Sequence, residues 1–155
     1  MKQSKIFFHT QKLNQITKDS FENWVFDLDN TLYDINLGIS QKVSERITIY
    51  IMEKFYLKRQ HAQRLRKKMF KEYGLTLRGL MLEKKIDPDS YLDFVHDVTY
   101  PELAVDLQLK NFLKKLRGKK FIYTNASKKH ALKVMDGMGI TDQFDDILDI
   151  KGTDY

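Results

Sequence analysis

The chain has 155 residues, 42% hydrophobic and 31% charged, with a formal net charge of +6. That balance fits one globular domain with a real core rather than a disordered chain. Lack of cysteine excludes disulfides, thiolate metal sites and a thiol nucleophile, and no apolar run approaches the roughly 20 residues that span a bilayer.

Residues 1–20 are polar and weakly patterned, which predicts a flexible N-terminal arm; its start, Met1 to Phe8, holds too small an apolar patch for a signal peptide. A cytoplasmic protein with no membrane partner is expected. Trp24-Val25-Phe26 is short, apolar and β-prone, the pattern of a strand buried on both faces of a parallel sheet. From Gly38 to Val98 the pattern is helical. Val43, Ile47, Tyr50, Ile51 and Phe55 form one stripe; Ala62, Leu65, Met69, Phe70 and Tyr73 form a second that Gly74 ends. Shorter helices are predicted over 76–85 and 88–97, the second opened by Pro88. Leu109, Phe112, Leu113 and Leu116 mark a helix ended by Gly118, and Lys120 to Tyr123 a strand. Ser127 caps a helix carrying Ala131, Val134, Met135 and Met138, and Phe144 to Ile150 reads as a third strand. Strand–helix alternation predicts an α/β fold with a Rossmann-like parallel sheet, and the long helical block a cap inserted after the first strand. The expected organisation is a core of residues 21–35 and 101–155 and a cap of residues 36–100.

Residues 54–85 hold eleven Lys or Arg against two acids, a net +9 that leaves −3 on the rest. A solvated helix face is the plain reading of such a run. Binding of an anionic small molecule or of nucleic acid is the other, although no nucleic-acid module accompanies the run.

Asp27-Leu28-Asp29-Asn30-Thr31 follows the first strand. Alternate strand residues share a side, so Asp27 and Asp29 are expected to converge at the carboxyl edge, where open α/β sheets bind ligands. Paired carboxylates suit Mg²⁺; an Asp-rich turn is the alternative reading. Tyr123-Thr124-Asn125-Ala126-Ser127 follows the second core strand and brings a hydroxyl, an amide and a helix N-terminus together. That combination is an anion site or a plain capping box.

Val25-Phe26-Asp27-Leu28-Asp29-Asn30-Thr31-Leu32-Tyr33, with Thr124-Asn125 after it, resembles the haloacid dehalogenase-like hydrolase superfamily. Tyr73 to Leu80 (YGLTLRGL) and Val95-His96-Asp97-Val98 resemble its pyrimidine 5′-nucleotidase branch. The resemblance implies a phosphatase acting on a small phosphate ester, a nucleotide, through Mg²⁺. In it Asp27 is the nucleophile that carries an aspartyl-phosphate. Asp29 is the acid and base, and its main-chain carbonyl joins Asp27 on the metal. Thr124 and Asn125 hold phosphate oxygens. The acid at position 29 points to phosphate esters, since the family's dehalogenases lack it. Arg78 in the cap is the candidate substrate contact, and His96 is expected to be a packing residue. Nucleic acid is not an expected partner.

The family continues into a lysine motif and then an acidic motif that completes the metal site. Lys151 comes too early to stand in for that lysine. The sequence therefore reads as a C-terminally truncated member with its first strand at an open sheet edge. The alternative function is a non-catalytic fragment or half-enzyme that self-associates or needs a complementary C-terminal chain.

Overall fold

A computed structural model describes residues 22–101 and 103–153; the expected arm, residues 1–20, lies outside them. The fold is α/β. Three short strands, β1 (Asn23–Phe26), β2 (Lys119–Tyr123) and β3 (Asp146–Leu148), form one sheet in the order β1-β2-β3 with both pairings parallel. Between β1 and β2 lie α1 (Ile39–Phe55), α2 (Arg59–Tyr73), α3 (Thr76–Lys84), α4 (Pro88–Val95) and α5 (Leu107–Lys115). The helix α6 (Lys128–Gly137) joins β2 to β3. No helix among the described residues is long and apolar enough to cross a membrane.

Register fixes which side chains meet. Phe26 pairs with Ile122 and Ile122 with Ile147, so these three share one face of the sheet. Ile122 and Ile147 are buried with Leu113 and Leu116 from the α5 end and Ala131, Val134 and Met135 from α6, and Phe26 packs against them. The opposite face is open: Val25 is 63% exposed, Tyr123 46% and Leu148 43%. This corrects the expectation that Trp24-Val25-Phe26 is buried on both faces. The strand order advances in one direction, so crossovers of one hand put α5 and α6 on the same side. An apolar triplet cannot report that global choice. Among the described residues β1 lies at one edge of the sheet.

The second core lies among α1–α4. Tyr50 and Ile51 of α1, Ala62 and Met69 of α2, Leu77 and Leu80 of α3, and Tyr91, Leu92 and Val95 of α4 bury one cluster. Phe70, expected in that stripe, is 60% exposed. It sits one residue, about 100°, past Met69 on the helix wheel. Gly74 ends α2 in the left-handed region (φ 75°), and Ser127 caps α6 by accepting from the His130 main-chain N–H at 3.3 Å.

Gly118 turns the chain into β2 at φ +88°, and a Cβ there would lie 2.3 Å from the Glu22 carbonyl oxygen. Both backbone strain and a clash with main chain oppose a side chain at this position. Gly118→Ala is expected to cost about 2 kcal/mol or more, read as a lowered urea midpoint at unchanged m-value.

Candidate active site

β1 ends at Phe26, and the chain then turns over Leu28: the Thr31 and Leu32 N–H groups both donate to the Leu28 carbonyl, at 3.2 and 3.0 Å. Leu28 is fully buried and pins the turn, and Asn30 takes the left-handed region at φ 58°. Asp27 and Asp29 therefore lie beyond the strand, where alternation no longer governs direction. The two acids have separate partners. Asp27 is exposed, and its Oδ2 accepts from the Thr31 hydroxyl at 2.6 Å. Asp29 turns inward: Oδ1 accepts from the Tyr33 hydroxyl at 2.6 Å and from His130 Nε2 at 2.8 Å, and Oδ2 from the Thr124 hydroxyl at 3.2 Å.

Thr124 is buried just past the end of β2, its N–H bonded to the Leu148 carbonyl at 3.0 Å. Its hydroxyl also accepts from the Ala126 N–H at 3.0 Å. Thr124 and Asp29, 95 residues apart, are thus in direct contact. Asn125 is exposed and lines the adjoining cavity.

The sequence reading missed the residues behind Asp29. His130, 2% exposed in the first turn of α6, bonds Asp29 through Nε2 and the Tyr100 hydroxyl through Nδ1 at 2.9 Å. Its ring stacks on His96, centroids 4.6 Å apart, and His96 Nδ1 meets the Ser127 hydroxyl at 2.9 Å. His96 is thus a packed, hydrogen-bonded residue as expected, and it also lines the cavity. One signal for His130 was in the sequence: it stands three residues after the cap Ser127, beside the core position Ala131.

Burial pushes the Asp29 carboxyl up, but the hydrogen bond and charge of His130, with Tyr33 and Thr124, outweigh it and hold the group below the usual range. Burial and the Asp29 charge push the Tyr33 phenol well up, and burial foremost takes Tyr100 up to about 12. For His96, burial and then the neighbouring His130 push the ring down to about 3, so it is neutral and accepts from Ser127. The unfolded chain binds this proton near pH 6.5 and the folded chain does not, so stability is full above pH 6.5 and declines as pH falls towards 3. Between pH 7 and pH 5 the wild-type chain is expected to lose about 2 kcal/mol more than His96→Asn, by urea midpoints at the two pH values.

Between this edge and helices α1–α4 lies a cavity of about 470 Å³. Asp29, His96 and His130 line one part of it; Val43, Ile47, Phe70, Leu77 and Val95 contribute apolar wall. Arg78, the expected substrate contact, is exposed and does not line it. On α3 the buried face belongs to Leu77, Gly79 and Leu80, and position 78 points off it. The arginine that lines the cavity is Arg66 of α2.

Among the described residues no group of three or more His, Asp or Glu side chains is arranged to hold a metal ion. Both carboxylate oxygens of Asp29 are engaged in hydrogen bonds. Asp27 Oδ1 and the Asp29 main-chain carbonyl accept no hydrogen bond among the described residues.

No family model matches the chain. Phosphate metabolism protein 8 of Saccharomyces cerevisiae is 30% identical over 132 residues, covering 79% of this chain and 41% of that protein. The chain therefore spans about two fifths of the curated relative's length. Among solved structures, an L-2-haloacid dehalogenase from Xanthobacter autotrophicus with chloropropionic acid covalently bound aligns at a TM-score of 0.40 and 16% identity, over 85% of this chain and 58% of that one.

Proposed function

We propose that this chain is a Mg²⁺-dependent phosphomonoester hydrolase of the haloacid dehalogenase-like superfamily, acting on pyrimidine nucleoside 5′-monophosphates through an aspartyl-phosphate. One observation carries the reading: Asp29 and Thr124, from the ends of adjacent parallel strands, are hydrogen-bonded at the sheet edge beside an exposed Asp27. The likeness to a protein named for phosphate metabolism supports it.

An exposed carboxylate with a free oxygen suits in-line attack. Asp27 bonds to phosphorus as the ester P–O bond breaks, and Asp29 gives its proton to the leaving oxygen. Asp29 then takes a proton from water, which attacks the aspartyl-phosphate and frees phosphate and Asp27. Its lowered carboxyl suits the base half. For the acid half, the arriving phosphate's negative charge favours the protonated form. Thr124 and Asn125 orient phosphate oxygens in this scheme. Asp27 Oδ1 and the Asp29 carbonyl fit a hard cation that takes one or two protein oxygens and keeps its waters. Mg²⁺ held there supplies charge that offsets the repulsion between Asp27 and the phosphate.

Incubation of the purified chain with Mg²⁺ and either UMP or CMP, with released phosphate measured, tests the proposal. Release above the uncatalysed rate is expected; its absence counts against activity in this chain. A second reading, a half-enzyme working with a complementary chain or a second copy, is favoured by the uncovered Val25, Tyr123 and Leu148 face. Sedimentation equilibrium discriminates: an active monomer excludes it.

A further inference from the structure

The Asp29 carboxylate is held unevenly. Oδ1 takes two close donors, the Tyr33 hydroxyl at 2.6 Å and His130 Nε2 at 2.8 Å, whereas Oδ2 takes only the Thr124 hydroxyl at 3.2 Å. The carboxyl, held below the usual range, is ionised and only accepts, so Nε2 carries the proton of its bond. Two bonds fill the lone pairs of Oδ1, and Oδ2 is the oxygen with room for a transferred proton. Tyr33 stands four residues from Asp29 in the same turn and moves with it. His130 stands 101 residues away, in the first turn of α6, so one loop and helix carry both Thr124-Asn125 and this donor. Its ring has no freedom to swing. It is 2% exposed, stacks on His96 at 4.6 Å and meets the Tyr100 hydroxyl through Nδ1 at 2.9 Å. His96 caps the end of α4 and Tyr100 follows it, the Tyr100 hydroxyl also reaching the His96 carbonyl at 3.3 Å.

We propose that His130 is a positioning residue for the proton transfer assigned to Asp29: its Nε2–H, braced by Tyr100 and His96, turns the carboxylate so that Oδ2 faces the leaving oxygen. The inference rests on the phosphomonoester reading of this edge and adds a residue that acts through Asp29. Proton transfer is steep in distance and angle, and a displacement of about 1 Å can cost about 10²-fold. A carboxylate tied to Tyr33 alone follows every motion of its own turn. Tied also to α6, it keeps one orientation towards the phosphate oxygens that Thr124 and Asn125 hold in the scheme above. Only a poor leaving group needs this proton. The uridine 5′-oxygen leaves as an alkoxide unless it is protonated, whereas 4-nitrophenolate is stable as the anion.

The test measures kcat/KM of the full chain with Mg²⁺ for UMP and for 4-nitrophenyl phosphate, since this parameter covers the steps up to loss of the leaving group. His130→Phe keeps a buried ring and removes the donor. It is expected to lower the UMP value about 10²-fold more than the 4-nitrophenyl phosphate value. Tyr100→Phe removes only the brace on Nδ1 and serves should His130→Phe not fold. It is expected to lower the UMP value about threefold to tenfold more than the other. Equal losses on the two substrates mark a merely structural role and overturn the inference while the hydrolase reading stands; unchanged values do the same. In ¹⁵N-histidine-labelled chain an Nε2–H resonance slow to exchange with solvent is expected, and its absence overturns the inference without any turnover. No release from either compound by the unaltered chain overturns the hydrolase reading and this inference together.

Discussion

Asp27→Asn is expected to abolish phosphate release from a monoester, by at least about 10³-fold, while leaving the fold intact. Asp27 is exposed and its one side-chain bond, to the Thr31 hydroxyl, is local, so the amide substitution disturbs no core contact. An amide oxygen is a poor nucleophile towards phosphorus, and removing the negative charge also weakens any hold on a divalent cation. Asp29→Asn is expected to lower the rate by about 10²–10⁴-fold, the scale of a general acid–base group. The check is phosphate release from UMP by both variants at matched far-ultraviolet circular dichroism. Activity that survives Asp27→Asn removes the nucleophile assignment.

His130→Ala is expected to produce the largest loss of stability among single substitutions at the site, about 3 kcal/mol. Three effects add: a cavity opens where a 2%-exposed ring stood, Asp29 loses a close donor, and the Tyr100 hydroxyl loses its Nδ1 partner. For a domain of this size that corresponds to a fall in Tm of about 6–12 °C. In a double-mutant cycle with Asp29→Asn the two changes are expected to be non-additive by more than about 1 kcal/mol, since each removes the other's partner. Additive effects, or a midpoint unchanged within about 0.5 kcal/mol, contradict the buried bond between them.

Local chemistry made much of this molecule legible before any coordinates. Pro88 opens α4, Ser127 caps α6, Gly74 in the left-handed region ends α2, and Asp27-Leu28-Asp29 and Thr124 fall at the ends of adjacent strands. Each of these signals lies within a few residues of the feature it determines. The open sheet face was not legible, because Val25's exposure depends on the order in which three strands assemble. Arg78 stands in the Tyr73–Leu80 motif, but helix phase turns it to solvent and turns Arg66 inward. Counting from Ala62 to Met69 would have found Arg66. Tyr100 was out of reach for another reason: it lies in a loop, and its meeting with His130 across 30 residues is a tertiary fact with no periodic trace.

The most direct measurement asks where phosphorus goes. The chain is mixed with a phosphate monoester and Mg²⁺, quenched in acid within the first turnover, treated with borohydride to convert an acyl phosphate into homoserine, and mapped by mass spectrometry. Homoserine at position 27, absent from Asp27→Asn, is the result the account predicts. Phosphate release with position 27 unmodified, or modification at another carboxylate, would contradict it.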